Sequence, residues 1–149
     1  MKKYHFRFSA SALSAIILIL VPNILWMVYP PKNNTLAEFA TSTAVEVIMS
    51  VSRGLLLVIL LFLQPAKQPC LRRSKFYFFF MGICLVIYYI SWIFYYLDKT
   101  SPYMFLGMAV FPSIFFVLFA LWKNNLLGLI PGCLFALLHI GSSFQYYFS

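Results

Sequence analysis

With 149 residues, 63% of them hydrophobic and only 9% charged, the chain carries far less charge than the roughly 25% of a soluble domain. A water-soluble globule of this size leaves about 30% of its unfolded-chain area exposed, which so few polar side chains cannot cover, so a soluble domain is excluded. The net charge of +8, eleven Lys and Arg against three acids, lies in short segments between apolar runs; that pattern fits topology signals and attraction to anionic lipid headgroups, and it excludes a nucleic-acid reader.

Residues 1–8, MKKYHFRF, form a positive leader that includes His5. The apolar run 9–29 follows. It exceeds signal-peptide length and no small-x-small cleavage site comes after it, so it reads as a retained first helix. The pair Pro30-Pro31 ends it, because consecutive prolines remove donors and disfavour helix before them. After a polar loop at 30–38 (PPKNNTLAE), a second helix is expected over 39–63. It contains Glu46 and Arg53. Each charge near a helix centre costs about 2.5–3.5 kcal/mol, and the fourteen Val, Ile, Leu, Met and Phe between 45 and 63 return about 4–8 kcal/mol in all. The sum is near zero, so this helix needs partner helices.

The loop 64–75 (QPAKQPCLRRSK) carries four basic residues and no acid. A third helix at 76–97 has aromatic clusters at both ends, FYFFF and YYISWIFYYL, which read as interfacial belts. A tight turn at 98–102 (DKTSP) leads to a fourth helix at 103–122, interrupted by Pro112. A second tight turn, Lys123-Asn124-Asn125, leads to a fifth at 126–146 with Pro131 and His139 inside. Each run is near the roughly 20 residues that cross about 30 Å of hydrocarbon. The runs are too long for strands and lack alternation. The expected fold is all-α: a single polytopic membrane domain over 1–149 with five transmembrane helices.

With the N-terminus in the cytoplasm, inner segments hold Lys2, Lys3, Arg7, Lys67, Arg72, Arg73, Lys75 and Lys123, and outer ones only Lys32 and Lys99. This positive-inside bias puts the C-terminus outside.

Polar groups at membrane depth are costly and are the default functional candidates. Here they are Asn23, Glu46, Arg53 and His139. The 1.5 Å rise per residue places Asn23, Glu46 and His139 about 10 Å below the outer boundary, with Arg53 about 10 Å deeper than Glu46. Glu46 and Arg53 are seven residues apart, nearly on one helix side, and Arg53 leans toward Glu46. A direct or water-bridged pair is one expectation. Two readings stay open: a polar pocket facing the outer side, or an internal ion pair fixing the packing with Asn23 and His139 as hydrogen-bonded neighbours.

Cys70, Cys84 and Cys133 form no CxxC pair and support neither a disulfide framework nor zinc; Cys70 lies in a cytosolic loop where lipidation is one option. No second His or Cys stands at ligand spacing to His139, so neither metal nor cofactor is expected. Catalytic motifs are absent, and only a Glu46–His139 acid–base pair stays open. Pro22, Pro112 and Pro131 break helices in a way that transporter sites use and ordinary membrane helices tolerate. Ser50-x-x-x-Gly54 and Gly128-x-x-x-Gly132 fit small-residue helix packing.

Val21-Pro22-Asn23, Glu46 with Ser52-Arg53-Gly54, Pro112-Ser113, and Pro131 with His139-Ile140 form a set spread over most of the chain. This set resembles small multi-pass membrane proteins of Gram-positive bacteria that carry no assigned activity. The resemblance implies a bacterial cytoplasmic-membrane location and nothing about mechanism. Three function classes follow. The first is binding or transport of a small molecule or ion through a polar pocket near the outer leaflet. The second is a non-catalytic interaction protein, an immunity or regulatory factor, that meets other membrane proteins or a second copy. The third, ranked last, is a membrane enzyme. The lipid bilayer is the partner common to all three.

Overall fold

A computed structural model describes residues 4–38, 43–66 and 71–148. Five helices, each long and apolar enough to cross a membrane, make up most of it. They are α1 (Ala10–Val28), α2 (Thr43–Phe62), α3 (Leu71–Tyr96), α4 (Pro102–Trp122) and α5 (Leu126–Phe148). A 3-10 turn, Thr35–Glu38, lies in the loop before α2. The expected start of the second helix at 39–42, together with Lys2, Lys3, Lys67 and Cys70, lies outside the described residues.

The first, fourth and fifth helices match the apolar runs closely. The third begins earlier than expected, since helix continues through the basic residues ahead of Phe76; Arg and Lys are good helix formers. Both expected tight turns are present. Asp98 and Asn124 adopt left-handed backbone angles (φ 60° and 53°). Each sits just past a helix end, where the following amides reach back: Asp98 N–H to Tyr95 O and Lys99 N–H to Phe94 O, then Asn124 N–H to Leu121 O and Asn125 N–H to Ala120 O. These are paired Schellman caps, with Asp and Asn in the place usually held by Gly. Ser101 then caps α4, accepting from Met104 N–H, with Pro102 at its first position.

Helices α3, α4, α5 and α2 pack in series, and α1 touches both α2 and α3 to close the ring. α4 is the most enclosed helix and α2 the least. The buried stripe of α3 is Tyr77, Met81, Cys84, Tyr88, Ser91 and Tyr95, the alternating three- and four-residue spacing of a packing seam. The aromatic belts therefore divide. Phe76, Phe78 and Phe79 face outward, whereas Tyr88, Trp92 and Tyr95 point into the bundle.

Of the two small-residue motifs, one packs. A Cβ on Gly132 would stand 3.3 Å from Leu56 Cδ1, and one on Gly128 would stand 3.2 Å from Leu60 Cδ2. Their lack of side chains lets α5 approach α2 closely. Gly54 has nothing within 4 Å of its missing Cβ, so the Ser50–Gly54 motif makes no such contact.

One feature was not expected. Tyr4–Phe6 pairs antiparallel with Leu63–Pro65, giving strands β1 and β2. The pairing extends into α2, where Arg7 N–H donates to Phe62 O and Ser9 N–H to Leu61 O. The last carbonyls of a helix have no donor inside it, and the leader supplies them. Three-residue strands carry too little periodic pattern to be read from sequence.

Candidate functional site

Pro22 has no N–H, so α1 lacks its bond to the carbonyl of Leu18. The hydroxyl of Tyr89 on α3 donates to that carbonyl at 2.7 Å. At the next carbonyl, Tyr88 Oη donates to Ile19 O at 3.0 Å, and Asn23 Nδ2 donates both to Ile19 O and to Tyr88 Oη, at 3.0 and 2.8 Å. The proline break is thus repaired across the α1–α3 contact. The arrangement also fixes Asn23: both its amide protons are engaged, and its Oδ1 accepts no protein hydrogen bond among those described.

Beside it lies a cavity of about 200 Å³ enclosed by α1, α3, α4, α5 and the 3-10 turn. Asn23 and Trp26 of α1, Tyr88 and Trp92 of α3, Phe105, Met108 and Ala109 of α4, and His139, Ser143 and Tyr147 of α5 line it together with Leu36. Phe105 stacks on Tyr147 with centroids 4.3 Å apart. The imidazole of His139 stacks on Phe135, four residues earlier on the same helix, at 5.1 Å. Its Nδ1 is buried with no hydrogen-bond partner, and the Trp92 indole N–H completes no hydrogen bond either. A buried polar group left unpaired costs about 1–3 kcal/mol. A guest that bonds to it recovers that cost. The cavity far exceeds the ≈ 30 Å³ that one water occupies in the liquid, so it has room for several waters or one small solute.

Asn23 and His139, placed at one depth from the sequence, do share this cavity. They are not bonded to each other: Asn23 turns to Ile19 and Tyr88. Glu46 and Arg53 do not line it. Both are exposed on one flank of α2, whose packed side runs through Ser52, Leu56 and Leu60. Among the described residues no direct ion pair joins them, so the expected direct bridge is not formed. Glu46 does not line the cavity that His139 lines, so the acid–base pair shares no pocket there. No group of three His, Cys, Asp or Glu able to hold a metal occurs among the described residues.

The residues that sequence reasoning passed over are Tyr88, Trp92, Ser143 and Tyr147. A signal existed for the first two. Tyr88, Trp92 and Tyr95 follow the three-to-four spacing of one helix side, and were assigned instead to an interfacial belt.

Around the cavity the bundle is held by the loop 30–38. Trp26 Nε1 and Tyr95 Oη both donate to Asn34 Oδ1, at 2.9 and 3.1 Å, and Leu36 N–H donates to Tyr95 Oη. Asn33 Nδ2 donates to both carboxylate oxygens of Asp98, at 2.8 and 2.7 Å. Compared with known proteins, the chain matches no family model, no curated protein and no solved structure.

Proposed function

We propose that the chain is a multi-pass protein of a bacterial cell membrane, with its N-terminus in the cytoplasm and its C-terminus outside, that binds a small solute in the Asn23–His139 cavity as a step in its transport. The observation that carries this reading is the buried, unpartnered Nδ1 of His139 facing an aromatic-lined space. Among the described residues, no Lys, Arg, Asp or Glu lines that space. A guest that suits it is uncharged, with flat apolar faces for Trp92, Tyr88 and Phe105 and a hydrogen-bonding edge for His139 and Asn23. The eight-against-two distribution of basic residues supports the orientation.

The test is accessibility. In a background without Cys70, Cys84 and Cys133, Ser143→Cys is exposed to a membrane-impermeant methanethiosulfonate from each side of sealed vesicles. Labelling from the C-terminal side alone is expected, with Ser113→Cys, deep in α4, unlabelled. Protection of Ser143→Cys from both sides overturns the reading. Reporter tags on the two chain ends are expected on opposite faces of the bilayer.

A second reading has an observation of its own. Glu46, in the first turn of α2, and Arg53, near its middle, are both exposed, and in lipid a charge near a helix centre costs about 2.5–3.5 kcal/mol. A partner chain or second copy covering that flank would remove the cost, which favours a membrane interaction protein. Arg53→Cys in native membranes would then cross-link into one discrete larger species, and a purely monomeric product argues against it.

A further inference from the structure

At the opposite end of the bundle from His139, four segments converge on a second cavity of about 320 Å³. The leader contributes Arg7, the start of α1 contributes Ser9 and Ser11, the segment after α2 contributes Gln64, and the α4–α5 turn contributes Lys123. The backbone holds these groups in place. Arg7 N–H and Ser9 N–H are bonded to the end of α2, and Asn125, two residues past Lys123, donates through Nδ2 to Leu63 O at 2.7 Å.

The charge of this site is uncompensated by the chain. The only acids are Glu38, Glu46 and Asp98. Asp98 is bonded to Asn33 at the far end, Glu38 is in the loop at that same end, and Glu46 is in the first turn of α2, about 24 Å from that helix's C-terminus at 1.5 Å per residue. Lys123 has its ammonium 4.6 Å from the Trp122 ring centroid, and burial pushes its pKa below the ordinary lysine value. A half-buried cation with no carboxylate in reach calls for an outside anion. The remaining donors suit one with several oxygens. The guanidinium of Arg7 presents a planar fork that matches phosphate, the hydroxyls of Ser9 and Ser11 share one hydrogen bond at 3.1 Å and so leave one proton for a ligand, and Ala10 and Ser11 begin a helix whose first N–H groups lack internal acceptors.

We propose that the cavity formed by Arg7, Ser9, Ser11, Gln64 and Lys123 is a phosphoryl-binding site, occupied by the phosphate of an anionic lipid headgroup or by a free phosphate. It is independent of the His139 cavity and stands or falls separately.

The experiment uses the full-length chain in detergent, with lipid retention read by native mass spectrometry against phosphatidylglycerol and phosphatidylcholine. Wild type is expected to retain phosphatidylglycerol preferentially. Arg7→Gln/Lys123→Gln is expected to lose about tenfold in that retention, whereas Lys32→Gln/Lys99→Gln, the same charge change at the other end, changes it less than about twofold. Arg7→Gln alone, at an exposed side chain outside every helix, loses at least about threefold without touching the packing, and Lys123→Arg retains binding. Inorganic phosphate separates the sources. Displacement of the lipid by millimolar phosphate marks a site for the free anion as well, and lipid retention indifferent to phosphate marks a headgroup site. Retention of both ligands by the double variant, or an equal loss in the Lys32/Lys99 control, overturns the proposal.

Discussion

At the end built from the leader, the α2 C-terminus and the 123–125 turn, backbone pairs with backbone, and one amide side chain, Asn125, ties the turn to β2. At the opposite end the loop 30–38 is held by side chains: Trp26 and Tyr95 on Asn34, Tyr96 on Tyr29 O, and Asn33 on Asp98. The difference governs what each end has to spare. Where the main chain closes the structure, Arg7 and Lys123 keep their donors for a ligand. Where side chains close it, many polar atoms are engaged, and two that complete no hydrogen bond, His139 Nδ1 and Trp92 Nε1, belong to residues that line one cavity. Fold and binding capacity therefore draw on different atoms at the two ends.

Breaking the first end should have the largest effect. Asn125 is 1% exposed; besides bonding Leu63 O it caps α5, accepting from Gly128 N–H at 3.1 Å. Asn125→Ala removes a cap worth about 1 kcal/mol and strands a carbonyl at a cost of about 1–3 kcal/mol. A loss of about 2–4 kcal/mol is expected in reversible unfolding, and a loss below about 1 kcal/mol would show that the strand pair, not the amide, holds this end. Next comes the α2–α5 seam that joins the two ends. Gly132→Val forces a side chain against Leu56 and is expected to cost about 1–3 kcal/mol, while Gly54→Val, with open space around it, stays within about 0.5 kcal/mol. Equal effects would mean that the Ser50–Gly54 side is also packed, as in an oligomer. The smallest change is expected at the second end. Tyr95→Phe keeps the ring and removes one hydroxyl that donates to Asn34 and accepts from Leu36 N–H, for about 0.5–1.5 kcal/mol in the same measurement. A larger loss would make the side-chain closure as strong as the backbone one.

The sequence made the helices legible because a span is announced by length and apolarity, and the turns at 98–102 and 123–125 by their Asp, Asn, Ser and Pro. It hid the early start of α3, where helix runs on through basic residues, and it hid β1 and β2, which are too short to show a period. The cavity was half legible. Depth follows from counting residues, and counting brought Asn23 and His139 together. Facing does not follow when nearly every neighbour is apolar. Glu46 and Arg53 share a helix side, yet that side lies on the flank of the Ser52–Leu56–Leu60 stripe, and neither lines the cavity of Asn23 and His139. Tyr88 and Trp92 were legible in spacing but were masked by the density of aromatics around them.

The bond from Tyr89 to the carbonyl opposite Pro22 joins residues 71 apart in the chain. At 5–20 residues per second, a ribosome delivers the second partner roughly 4–14 s after the first. For that interval the Leu18 carbonyl has no tyrosine to meet it. The proline gap and the order of synthesis are in this way linked: the contact that closes it waits until more than half of the chain has been made.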